Sequence, residues 1–228
     1  MDETSWWVGG PQHWLWTFTS AQATLYQVRG ERTAAVVTDV LTPHDAGVLI
    51  SDCLNIYDTV PFARKHKCIA HHQKAIREQL GAPGLADTTY LLAWKQFFRL
   101  VIALCRARSA IPAELWDQGR RNLGRQRDEL LDRAVTQEPD RRIQFRLGKQ
   151  RAHLLTCLDD PAVEPTNNRA ERALRPAVIA RKVSCGNKTA RGARTWERLA
   201  SLLRTWTQRG AAAVDELARR SPMLQPVV

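Results

Sequence analysis

The spacing of apolar residues in this chain changes from a strand period to a helix period about a third of the way along. From Gln12 to Ser20 large apolar and polar residues alternate, which places Trp14, Trp16 and Phe18 on one face of a strand. Gly9-Gly10-Pro11 ahead of it reads as a hairpin turn, so Thr4 to Val8 is predicted as the partner strand. Ala23 to Arg29 is predicted as a third strand, with Leu25 and Val28 on its buried side. Glu31 to Leu41 reads as a helix with Ala35, Val36, Val40 and Leu41 inward. Ala46 to Ser51 is a short continuous apolar run closed by Asp52, the pattern of a strand buried on both faces.

Past this run a short helical piece is expected near Leu54 to Val60, with an apolar patch at Cys68 to Ala70. From His71 the period is helical. Helices are predicted over Tyr90 to Arg108, from Glu114 to Val135 after Pro112, and over Arg141 to Leu158. Asn167 and Asn168 are good N-caps for a helix running to Arg175 and ending at Pro176. A glycine-bearing link, Ser184 to Lys188, leads to a long helix over Ala190 to Gln208, and a last short helix covers Ala212 to Arg219. Strands first and many helices afterwards predict an α/β core with a helical insertion.

Charge adds a direction to this picture. The 228 residues carry a net charge of +11. Residues 1–140 hold 16 Lys and Arg against 16 Asp and Glu, and residues 141–228 hold 18 against 7. Arginines outnumber lysines 27 to 7, and guanidinium groups suit bidentate phosphate contacts. A basic C-terminal part beside a neutral remainder is what a nucleic-acid-facing surface looks like, although ordinary solvation and arginine-rich codon usage give the same composition. No apolar run reaches the roughly 18 residues of a membrane span, and the first residues have no signal-peptide pattern. Five scattered cysteines point to reduced thiols in a cytosolic protein.

Three acids stand where chemistry could use them. Asp2 opens the sequence DETSWW, Asp52 closes the strand GVLIS, and Glu171 lies in the first turn of the basic helix. Each has an ordinary reading, as a solvated terminus, a turn residue and a macrodipole-favoured acid respectively. Together, three such carboxylates suit two Mg2+ ions about 3.5–4 Å apart, the arrangement used in phosphoryl transfer. Cys68, His71 and His72 contain half of a zinc pattern, but no second pair with suitable spacing follows. Packed core groups, or a His71 that supports the active site, are the alternatives.

DETSWW, HWLWTF, GVLISD, the Cys-x-x-His of CIAH, NNRAERALRP and ARKVS occur here in an order that resembles the catalytic domain of insertion-sequence-66 family transposases. The likeness runs over roughly residues 1–210. It implies an RNase H-like mixed sheet with flanking helices, and a helical insertion between the second Asp and the Glu. The divisions implied are 1–72 for the first part of the core, 73–160 for the insertion and 161–228 for the helices that complete the core. The catalytic and metal-binding acids would be Asp2, Asp52 and Glu171. The implied reaction is in-line attack of water or a 3′-hydroxyl on a DNA phosphate, assisted by two Mg2+ (or Mn2+) ions on those acids. Arg169, Arg172, Arg175, Arg181, Lys182, Lys188, Arg191 and Arg194 would hold the DNA backbone.

The implied partners are transposon-end and target DNA and further copies of the chain, with no membrane, in a bacterial cytoplasm at the nucleoid. Family members start well before the first Asp, so a truncated chain is expected here. Its first core strand, which belongs beside GVLIS, would be cut short, with Asp2 poorly held and strand transfer weak. A non-catalytic DNA-binding remnant and an unrelated RNase H-like nuclease are the competing readings.

Overall fold

The computed structural model describes residues 1–41 and 47–220. In chain order the strands are β1 (Asp2–Trp7), β2 (Gln12–Thr19), β3 (Thr24–Arg29), β4 (Leu49–Ser51) and β5 (Lys65–Lys67). The helices are α1 (Ala34–Thr38), α2 (Ile69–Leu80), α3 (Thr89–Ala107), α4 (Ala113–Asp132), α5 (Glu138–Lys149), α6 (Thr156–Asp159), α7 (Asn168–Ser184), α8 (Ala190–Gln208) and α9 (Ala213–Arg220). The fold is mixed α/β and rich in helix. Its contacts group residues 1–40 with the segment from 168 onward, and residues 41–167 into a second unit. These boundaries differ from the 1–72, 73–160 and 161–228 expected. Val48 and Ile50, flanking and within β4, pack against the apolar cluster of the α2–α6 helices, which draws residues 47–72 into the second unit.

The first unit is a three-stranded antiparallel meander in the order β1-β2-β3, covered by helices. Asp2 pairs with Thr17, Thr4 with Leu15 and Trp6 with His13, while Thr17 pairs with Tyr26 and Leu15 with Val28. Directly paired residues share a face. One face therefore carries Asp2, Thr4, Trp6, Leu15, Thr17, Tyr26 and Val28. Trp6, Val8, Leu15 and Tyr26 pack there with Leu174 and Ala177 of α7 and Ala193 of α8. Trp16 and Phe18 are buried on the other face, as the alternation predicted, so the middle strand is covered on both sides.

Two inward assignments shift by one position. Leu25 is 38% exposed and Tyr26 only 2%, because α8 fixes the register of β3. The backbone N–H groups of Thr24, Tyr26 and Val28 donate to Thr205 Oγ1 (3.1 Å), Ser201 Oγ (2.9 Å) and Glu197 Oε2 (2.8 Å). Four helical residues rise about 6 Å and two strand residues about 6.6 Å, so acceptors spaced by four on α8 match donors spaced by two on β3. This closes a strand edge that would otherwise be open to foreign pairing. In α1, Val36 and Val37 are buried while Ala35 is exposed.

The second unit is mostly helical, around the aromatic ladder Tyr90, Trp94, Phe97 and Phe98 of α3. Its sheet has two strands, β4 and β5, in parallel register, with Leu49 beside Lys65 and Ser51 beside Lys67. Ala46, the first residue of the apolar run predicted over Ala46 to Ser51, lies outside the described residues. The single helix predicted over Arg141 to Leu158 is broken after Lys149. The N–H of Gln150 turns back to the Leu147 carbonyl, and a 3-10 turn and α6 follow.

Candidate active site

In the first unit the site is built from β1 and α7. β1 is held on both edges. Its inner edge is the ladder to β2, which includes Asp2. At its outer edge, the Asn187 N–H donates to the Trp7 carbonyl (2.9 Å) and Gly9 N–H donates to the Asn187 carbonyl (3.1 Å). The Asn187 side chain also accepts from Trp6 Nε1 at 2.9 Å. The link before it turns through Cys185 and Gly186, at φ values of 61° and 119°. A Cβ on Gly186 would stand 2.4 Å from the Trp7 carbonyl oxygen. Only glycine allows that approach.

Helix α7 continues through Pro176 to Ser184, past the predicted stop at Pro176. Proline removes one bond, to the carbonyl of Arg172, and costs roughly 3 kcal/mol in a helix interior. Arg172 and Pro176 are both exposed, so that carbonyl meets water. The turns beyond are retained by the buried Ala177 and by Arg181. Arg181 Nη1 donates to Thr4 Oγ1 (2.9 Å), the Ser5 carbonyl (2.7 Å) and Ser5 Oγ (2.6 Å). Further back on the helix, the Tyr26 hydroxyl donates to the Ala173 carbonyl. Tyr26 is level with Thr17 and Asp2 in the ladder, so the first turns of α7 lie toward the Asp2 end of β1. Glu171, half-buried, flanks the packed stripe of Ala170, Ala173, Leu174 and Ala177. The neighbouring acid on β1, Glu3, is committed elsewhere. Its side chain points to the opposite face and pairs with Arg32 at 2.6 Å.

In the second unit Asp52 follows β4, and its Oδ1 accepts from the Leu54 N–H at 2.9 Å, an Asx turn. Cys68 occupies the equivalent end of β5 and precedes α2, and its N–H donates to the Ser51 carbonyl at 2.9 Å. Asp52 and the first turn of α2, with His71, therefore share the C-terminal end of a parallel strand pair, where open α/β sheets form their crevices. Cys68 is fully buried, and its sulfur accepts from the Asn167 N–H at 3.1 Å. His72 turns inward and stacks on Phe98 at 5.5 Å, with Cys53 Sγ 3.6 Å from its Nε2. Burial, helped by the nearby Arg146 charge, holds His72 well below the usual histidine value. Burial also raises the Cys53 thiol to about 11, against the pull of Arg146.

Sequence reasoning missed the support beneath this strand pair. The three residues of β5, Lys65, His66 and Lys67, are all buried. Lys67, 0% exposed, pairs with Asp58 Oδ1 at 2.8 Å, and Lys65 Nζ donates to the Asp58 carbonyl at 2.7 Å. Gln150 Nε2 donates to the same Asp58 carboxylate at 3.0 and 2.9 Å. Burial pushes the Asp58 carboxyl up, but bonds from Lys67 and Gln150 and the two lysine charges leave it below the usual range. Burial lowers Lys65, and it lowers His66 to about 4. A Lys-His-Lys triplet looks like surface; no periodicity marks it as a strand.

Against these units, the model of the Transposase IS66 family matches residues 1–195. The chain belongs to the IS66 transposase family. It is 27% identical over 238 aligned positions to the uncharacterized protein y4qI of Sinorhizobium fredii (strain NBRC 101917 / NGR234), covering 90% of this chain and 42% of that protein. The chain thus spans less than half the length of that relative. No solved structure matches it. Of the basic residues singled out in this transposase-family chain, Arg172, Arg175, Lys182, Lys188, Arg191 and Arg194 are exposed, and Arg169 is half-buried. Arg181 differs from the rest, because one of its two terminal nitrogens is spent on β1, which makes it a strut. No helix among the described residues is long and apolar enough to cross a membrane, and all five cysteines are free.

Proposed function

We propose that this chain is the catalytic domain of a DDE transposase with an RNase H-like core, acting on DNA strands at insertion-sequence ends. The observation that carries this reading is the docking of α7 on the Asp2-bearing face of β1, with Glu171 in its first turns, in a chain of the IS66 transposase family. Asp2, Asp52 and Glu171 would be the metal ligands. An all-carboxylate donor set suits two Mg2+ or Mn2+ ions, and the Cys68 sulfur and the His72 ring have partners of their own. Such ions, when bound, neutralise charge on the attacked phosphate and on the attacking and leaving oxygens.

The protein's own part is positioning. Asn187, Arg181 and the β2 ladder hold β1, and the ladder reaches Asp2 through its pairing with Thr17; efficient catalysis would ask that the carboxylate be held to within roughly 1 Å. The Asx turn fixes Asp52. Arg172, Arg175 and the cations from Lys182 to Arg194 would grip the backbone phosphates of transposon-end and target DNA, which sets register without reading bases. His71, in the first turn of α2, would support the site from the Asp52 side. Assembly as a homo-oligomer on DNA at the bacterial nucleoid belongs to the same reading.

Glu171→Gln is expected to reduce Mg2+-dependent cleavage of transposon-end DNA to background while leaving the DNA dissociation constant within about twofold of the parent. Gel-based cleavage and fluorescence anisotropy on the same preparation measure both. Equal cleavage by parent and variant would refute the assignment of Glu171. Binding without cleavage by the parent chain itself would favour the second reading, a DNA-binding remnant that competes with intact transposase.

A further inference from the structure

Phe145, on α5 of the second unit, is 66% exposed, the most exposed aromatic ring among the described residues. The opposite side of α5 is conventional, with Ile143 and Leu147 buried in the helical core. The outer side is not. Arg141 and Lys149 lie four residues before and after Phe145, and Arg142 three before, so all three cations share its face. All three are exposed. The Lys149 ammonium sits 4.3 Å from the ring centroid. Glu138 is the one acid on this face, and it is bridged to Arg142 at 3.0 Å.

We propose that Phe145 and the cations around it form a stacking platform for a base of single-stranded DNA. An exposed phenyl ring framed by cations, with Lys149 over one of its faces, is poorly suited to a protein partner, because the centre of such an interface is depleted in charge, and lysine above all. It matches what single-stranded nucleic acid presents, an apolar base face between two phosphates. An intact duplex offers no such face, because its bases are already stacked. The patch shares no residue with α7, so it would add a contact to a DNA strand rather than replace the phosphate grip. The proposal rests on the reading of the chain as a DNA-acting transposase domain.

The test titrates the full 228-residue chain against a fluorescent single-stranded oligonucleotide and the same sequence as a duplex. Phe145→Ala is expected to weaken single-strand binding about tenfold, the typical loss of one base–aromatic stack, and to change duplex binding less than twofold. Phe145→Tyr should retain the parent affinity for both. Quenching of a 2-aminopurine base in the single strand should vanish with Phe145→Ala and survive with Phe145→Tyr. Equal loss on both DNAs, no loss on either, or conversion of a dimer to a monomer by Phe145→Ala would each overturn the proposal. If the parent binds neither DNA, the transposase reading falls with it. If it binds duplex through Arg172 and Arg175 but ignores Phe145, the platform alone is wrong.

Discussion

The two units of this protein are assembled by opposite means. In the second, a continuous stretch of chain buries an aromatic core on α3 and sets one charged network, Lys67–Asp58–Gln150, beneath β5. In the first, two distant segments meet, and much of the joining is polar. Arg181 and Asn187 fasten β1, while Glu197, Ser201 and Thr205 cap β3. An apolar core resists loss because its contacts are many and weak. A polar seam is directional and depends on a few atoms. The unit with two of the three candidate acids is therefore the better defined in register and the more vulnerable to single substitutions.

The sharpest way to break this contrast is Gly186→Ala. The new methyl meets the Trp7 carbonyl at a backbone angle that alanine avoids, and a loss of about 3 kcal/mol or more is expected, confined to the first unit. Hydrogen exchange should show deprotection of β1 and β2 with α3 unchanged; uniform deprotection would mean that the units do not respond separately. Next in size, Lys67→Met in the second unit leaves the Asp58 carboxylate with Gln150 but without its ion pair and should cost about 2 kcal/mol, less than for a fully buried pair because Asp58 is partly exposed. Adding Asp58→Asn should restore part of that loss in urea titrations, and strict additivity would deny the coupling.

A further effect, spread over two histidines, is a pH dependence. His66 is held down to about 4 and His72 well below its usual value, so in mild acid the unfolded chain takes up protons that the folded second unit refuses. Stability should therefore be full above about pH 6.5 and fall as pH drops, by about 1.4 kcal/mol per pH unit for each histidine until its folded value is reached. Asp58, whose folded value is lowered, acts in the same direction at still lower pH. His72→Phe should flatten the urea midpoint between pH 6.5 and 5; an unchanged slope would contradict the burial argument.

Where one physical signal dominated, the sequence was easy to read. The hairpin of β1 and β2, the amphipathic α3 and the span of α8 follow from period and turn residues alone. What was hidden depended on partners distant in the chain. Pro176 reads as a stop until Arg181 is known to reach Ser5, and Leu25 reads as core until α8 is seen to hold Tyr26 inward. β5 carries no apolar residue at all, because its burial is made possible by Asp58 and Gln150. For the candidate site, the three acids come from the family likeness, while the contacts that Asn187, Gly186 and Arg181 make with β1 had no sign in the sequence. Arg181 looked like one more phosphate contact among many.

The discontinuity of the first unit has a consequence for biosynthesis. Residues 1–40 leave the ribosome well before the helices that cover them, which are encoded after residue 167. At about 5–20 residues per second, the exposed tryptophan-rich hairpin must wait on the order of ten seconds while the intervening unit is made. The second unit can close during that interval and the first cannot. Over residues 1–40 the nascent chain is thus most open to holdase chaperones and proteases, and codons that slow translation between residues 41 and 167 would lengthen that exposure without changing a single contact in the finished molecule.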